Sequence, residues 1–143
     1  MAGSATITLN KVFHAGKKLY EIVCDWSSPD TGTVSVGVGA GLVTSLRLSA
    51  AKISGKIISL ETSPGASGDI ATLCPADQYD IALTDAYGCD ILPNDASIIN
   101  RSSSAAETII FGTPIPVNSE LTMTVTNTGT PTKGRLIINL DPK

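Results

Sequence analysis

The chain is poor in the groups on which catalysis and cofactor binding usually depend. It has one histidine, His14. A serine nucleophile needs a base held in place by a third group, and the edge-like segment around His14 offers no such partner. Aromatic residues are few, at two Phe, three Tyr and one Trp. Glycoside hydrolysis by paired carboxylates normally adds exposed aromatics for sugar stacking, and a sugar-binding platform would have to come from Trp26, Tyr20, Tyr79 and Tyr87, most of them at core-facing positions. The three cysteines, Cys24, Cys74 and Cys89, are an odd set without a C-x-x-C pair. That fits neither a disulfide framework nor a zinc site, and the expected use is as small buried apolar residues in a chain made in a reducing cytoplasm.

Basic charge is also scarce. Ten Lys and Arg stand against thirteen Asp and Glu, a net charge of -3, and they are spread along the chain with no basic face. No nucleic-acid partner and no anionic membrane partner are expected. Apolar stretches are broken by Gly, Ser or Thr well short of the roughly 20 residues that cross a bilayer. Met1 to Thr6 lacks a basic start followed by an apolar run, so no signal peptide is expected.

What remains describes a folded protein. A hydrophobic fraction of 42% with 16% charged residues in 143 residues suits a single domain over 1–143 with one sizeable core. Period-two alternation recurs along its length. Thr6-Ile7-Thr8-Leu9 reads as a first strand, followed by a turn near Ala15-Gly16. Tyr20, Ile22, Cys24 and Trp26 share one face of a second strand, which closes at Ser27-Ser28-Pro29-Asp30-Thr31-Gly32. Val34, Val36 and Val38 alternate in a third, which ends in Gly37 to Gly41.

Leu42 to Leu60 predicts two strands, one with Leu46 and Leu48 on a face and one with Ile58 and Leu60 on a face; Ser49 to Lys52 between them could be a helical turn. Ser63 to Asp69 reads as a loop. Tyr79 to Leu92 predicts a hairpin in which Tyr79, Ile81 and Leu83 face the core, Gly88 supplies the reversal and Ile91 returns. Pro93 to Ala106 is polar. Thr108-Ile109-Ile110-Phe111 predicts a short strand stopped by Gly112, Pro114 and Pro116. Leu121, Met123 and Val125, then Leu136, Ile138 and Leu140, predict a last hairpin joined by Asn127 to Gly134. Strands at this spacing without a convincing helix indicate an all-β protein, an antiparallel β-sandwich or barrel.

The motif search yields no catalytic, cofactor-binding or metal-binding residues. Gly65-Ala66-Ser67-Gly68 lacks the spacing and following helix of a nucleophile elbow, and Gly37 to Gly41 misses the spacing of a phosphate cradle. The carboxylates Asp77, Asp80, Asp85, Asp90 and Asp95 are too widely spaced for a calcium loop. They read as turn residues whose side chains accept nearby backbone N–H groups. Asn100-Arg101-Ser102 fits a glycosylation sequon without a secretory context. No enzyme activity is expected.

A family resemblance rests on four stretches. Asp77-Gln78-Tyr79-Asp80-Ile81-Ala82-Leu83-Thr84-Asp85-Ala86-Tyr87-Gly88-Cys89-Asp90-Ile91-Leu92 is followed by Asn100-Arg101-Ser102. Then come Leu121-Thr122-Met123-Thr124-Val125-Thr126-Asn127-Thr128-Gly129 and Gly134-Arg135-Leu136-Ile137-Ile138-Asn139-Leu140. Together they resemble small virion structural proteins of tailed bacteriophages, with their approximate Y-D-x-x-L-T-D-x-x-G-x-D-(I/V/L)-L pattern and terminal L-T-x-x-V-(S/T)-N-x-G segment. The resemblance implies a jelly-roll-like sandwich acting as a capsid decoration, or cement, protein on the head exterior. Its implied partner is the major capsid protein, and a homo-oligomer, dimer or trimer, would reach several shell subunits at once. Candidate contact segments are Met1 to Thr8, Ser63 to Asp69 and Pro93 to Ala106. A tail or head-tail joint position and a carbohydrate- or receptor-binding module are the alternatives.

Overall fold

The computed structural model describes residues 4–14, 16–28, 34–38, 52–64, 80–92, 107–126 and 132–142. Outside them lie Cys74, Asp77, Tyr79, Asp95, Leu46, Leu48, the Asn100 sequon, the reversal after Thr126 and most of the proposed contact segments. The described residues form eight strands: β1 (Ser4–His14), β2 (Lys17–Ser28), β3 (Val34–Gly37), β4 (Lys52–Pro64), β5 (Asp80–Thr84), β6 (Glu107–Glu120), β7 (Thr122–Thr126) and β8 (Thr132–Asp141). One sheet has the order β1-β2-β8-β4-β6, the other β3-β7-β5. Every pairing is antiparallel. The expected all-β sandwich is thus the observed one.

Among the described strands, from β2 onward each successive strand lies in the other sheet, so sequence neighbours face each other across the core. This is the jelly-roll order, with β2-β8-β4-β6 on one side and β3-β7-β5 on the other. Alternation makes it work. Ile22, Cys24 and Trp26 of β2 and Leu136, Ile138 and Leu140 of β8 point to the same interior as Ile81 and Leu83 of β5 and Met123 and Val125 of β7. Burying each such side chain contributes about 1.5–3 kcal/mol. Among the described residues one tight hairpin joins β1 to β2, where Gly16 takes a φ of 79° between His14 and Lys17.

The structure departs from the sequence reading in four places. β4 carries a bulge between Ile57 and Ser59. The extra residue reverses the alternation, so Ile57 and Leu60 are buried and Ile58 is only half-buried. The predicted pair Ile58 and Leu60 therefore does not share a face. Ser63 and Pro64 continue β4 rather than opening a loop.

β6 runs through Gly112, Pro114 and Pro116 instead of stopping there. Among the described residues it is an edge strand bonded only to β4, and a proline nitrogen on the open side disrupts no ladder bond. Its register nevertheless skips, with Ser59 opposite Ile110 and Ile57 opposite Ile115. Finally, β7 and β8 are not a hairpin. β7 pairs with β3 and β5, β8 with β2 and β4. Two amphipathic strands can bury their apolar faces equally well side by side or across a core, and here they do the second.

Candidate interaction surface

The acidic stretch forms the tip after β5. Ile81 and Leu83 anchor it in the core. The Asp85 Oδ1 accepts the N–H groups of Tyr87 at 2.9 Å and Cys89 at 3.0 Å, while its backbone N–H donates to the Cys89 carbonyl and its carbonyl accepts the Gly88 N–H. Gly88 has a φ of 81°. The Asp90 Oδ1 accepts the Leu92 N–H at 3.0 Å, and the Ile91 N–H reaches the Leu83 carbonyl at 2.8 Å. The return arm is short, a single bridge of Asp90 to Thr84. Asp85 and Asp90 therefore act as the turn-forming carboxylates their sequence suggested. Among the described residues no group of three His, Cys, Asp or Glu is placed to hold a metal ion.

This geometry separates two substitutions. Asp85→Asn keeps the accepting oxygen and should leave the urea midpoint almost unchanged. Asp85→Ala leaves two turn N–H groups to water and should lower stability by about 1 kcal/mol.

Among the described residues the larger sheet, of five strands, presents its outer face as a continuous surface. Its rows come from the outward residues of adjacent strands. Asp25 on β2 lies directly opposite Arg135 on β8. The pair is bidentate, with Nε to Oδ1 at 2.7 Å and Nη2 to Oδ2 at 3.1 Å, and the hydrogen bond to Asp25 raises the already high pKa of the guanidinium. Val23 and Ile137 are also opposite each other, Val23 buried and Ile137 half-buried. Asn10 donates to the Glu21 carboxylate at 3.2 Å. The Asn139 amide donates to the Ser59 hydroxyl oxygen at 2.9 Å and to Glu61 at 3.1 Å. Lys17 pairs with Asp141 at 2.6 Å. A shallow depression of about 230 Å3 lies on this face between Val12, Leu19, Glu21, Ile58, Ser59 and Asn139.

None of this forms an acid-base constellation. The Ser59 hydroxyl has the Asn139 amide as its side-chain partner and no bond to a base among the described residues. His14 ends β1 opposite Lys17 and is not among the residues lining the depression. A second hollow of about 270 Å3 runs along β4 and β6 by Gly55, Lys56, Pro116 and Asn118, with one charged side chain.

The aromatic residues are likewise dispersed. Trp26 is buried, Tyr20 is half-buried with the Lys18 ammonium 5.5 Å from its ring centre, and Tyr87 stands exposed at the β5 tip. Phe13, not singled out in the sequence, is 74% exposed near the end of β1. Cysteine usage is mixed. Cys24 is a core residue whose thiol is pushed by burial, with Asp25 adding to it, up to about 12. Cys89 is exposed on the β5 tip and corrects the expectation that the cysteines are buried.

Sequence reasoning missed the polar ladder on the outer sheet face. Alternation placed Glu21 and Asp25 on one face of β2, but which β8 residue lies opposite each depends on a register set by residues 110 positions away. Comparison with protein-family models and with curated proteins gave no match.

Proposed function

We propose that this chain is a structural virion protein of a tailed bacteriophage, a capsid decoration protein that binds the outside of the head and stabilises it. The observation that carries the reading is the strand order. The resemblance over Asp77 to Leu140 implied a jelly-roll-like sandwich, and the strands follow the jelly-roll order. Fold alone does not assign a role, so the surface matters as well. The sheet's outer face combines ion pairs and amide-carboxylate bonds with the half-buried Ile137, a composition suited to a partly wet protein-protein contact.

The partner in this reading is the major capsid protein, met at seams between shell subunits. Binding that exists only in the assembled shell stabilises it by linkage, and a dimer or trimer bound at several points multiplies the effect. No step requires a cofactor or a catalytic group.

The test is to mix purified protein with heads that lack it. Saturable co-sedimentation and a raised temperature of shell disruption are the expected results. Heads that neither bind nor gain stability would refute the reading. Image reconstruction of the bound particle then separates the positions: density at the tail or head-tail joint in place of the head surface transfers the assignment there.

A further inference from the structure

The two edges of the five-stranded sheet are finished differently. β6 carries Pro114 and Pro116, and its register with β4 breaks between Ile110 and Ile115, devices that discourage another strand from pairing there. β1 has neither. Its eleven residues pair with β2 without a shift, from Ser4 opposite Ser27 to His14 opposite Lys17.

The register also tells which backbone groups of β1 face outward. Two residues separate His14 from Lys17, and in such a tight hairpin the pair flanking the turn is hydrogen-bonded, with bonded pairs alternating thereafter. Thr6, Thr8, Asn10, Val12 and His14 therefore direct their N–H and C=O groups to β2. Ala5, Ile7, Leu9, Lys11 and Phe13 direct theirs to the open side, and among the described residues no strand or loop takes them up. The side chains of these same five residues form one row. Ala5, Ile7 and Leu9 are half-buried against the core, whereas Lys11 and Phe13 are exposed.

We propose that β1 is the seam of a two-fold symmetric dimer, in which it pairs antiparallel with β1 of a second copy of this chain and the two five-stranded sheets become one. Full overlap of the strands centres the axis on Leu9. Leu9 then meets its own equivalent, Ile7 meets Lys11 and Ala5 meets Phe13, so outward-facing backbone groups meet only outward-facing ones. Symmetry satisfies both edges at once. Phe13, exposed in the single chain, comes to lie over Ala5 beside Ile7 of the other copy and removes apolar surface from water twice per dimer. The two Lys11 side chains lie on opposite sides of the axis, each across from an isoleucine, so no like charges face each other. A seam of one strand pair is small for a protein interface, which makes the dimer concentration-dependent.

This specifies the self-association included in the proposed function but rests on the edge alone. Measurement on purified protein without particles keeps the two apart, since a monomer that still decorates heads would refute the seam and leave the particle role standing. Sedimentation velocity from low micromolar to near-millimolar concentration is the experiment. The unaltered chain should pass reversibly from monomer to dimer. Lys11→Pro removes an outward N–H that β2 does not use, and Phe13→Asp places a charge in the seam without touching the backbone; each should raise the dimer dissociation constant about tenfold or more. If Lys11→Pro loses the native far-UV circular dichroism, Phe13→Asp alone decides. A chain that stays monomeric throughout, or an oligomer that Phe13→Asp retains undiminished, overturns the proposal.

Discussion

Replacing Gly134 by alanine should lower stability by about 1–3 kcal/mol, and replacing it by valine should prevent folding at ordinary temperature. Gly134 lies opposite Trp26 on one side and Pro64 on the other. The indole covers the space where a side chain would be, so that an added Cβ would stand 2.6 Å from Cε2 and closer still to Cζ2. Trp26 is itself buried and cannot swing into solvent without opening the end of the sandwich. The cost is overpacking and is specific to the pair. Trp26→Leu alone should cost about 3 kcal/mol through lost burial and the void it leaves, whereas in the Trp26→Leu background the added alanine should cost little. Urea unfolding followed by circular dichroism on the four chains measures that coupling. Equal alanine penalties in both backgrounds would mean that the ring does not set the limit.

Leu83→Asp should leave no folded protein at all. Leu83 is fully buried between the sheets and sits opposite Met123. The substitution forfeits about 2–3 kcal/mol of burial and adds several kcal/mol for a carboxylate taken out of water without a partner. Together these rival the about 5–15 kcal/mol that holds a typical domain folded. Ile110→Asp is the matched control. That residue is 78% exposed on the edge strand, and the same change there should stay within about 0.5 kcal/mol. Near-UV circular dichroism and amide proton dispersion distinguish the two outcomes directly. A well-dispersed spectrum from Leu83→Asp would place β5 outside the core.

How much of this could be read from the residues depends on the range of the interactions. Alternation is local, so the core rows of β2, β5, β7 and β8 were legible from Ile22, Leu83, Met123 and Leu136 without coordinates. Turn chemistry is local too, which is why Asp85 and Asp90 could be assigned to their caps. What failed was decided at a distance. The bulge at Ile58 shifts the register of β4 against both β6 and β8, and nothing in its own alternation signals the reversal. Pro114 and Pro116 ended a strand in the reading because only sheet order shows that β6 is an edge. β7 and β8 look like a hairpin from their sequences, since a strand with one apolar face does not specify whether its chain neighbour lies beside it or across the core. The salt bridge of Arg135 with Asp25 and the exposure of Phe13 belong to the same class.

The position of β8 has a consequence for how the protein is made. It sits between β2 and β4, yet translation delivers it after every other strand. Until Thr132 and the residues beyond it leave the ribosome, the larger sheet consists of two halves, the β1–β2 hairpin on one side and the β4–β6 pair on the other, with their inner edges unpaired. Loop-closure entropy for such remote pairings must be met before any contact offsets it. The larger sheet is therefore completed only once β8 is made, and a nascent chain stalled before it leaves the inner edges of β2 and β4 open to other strands. Synthesis at lower temperature, or with β8 supplied as a separate segment, would act on that interval and leave the finished fold the same.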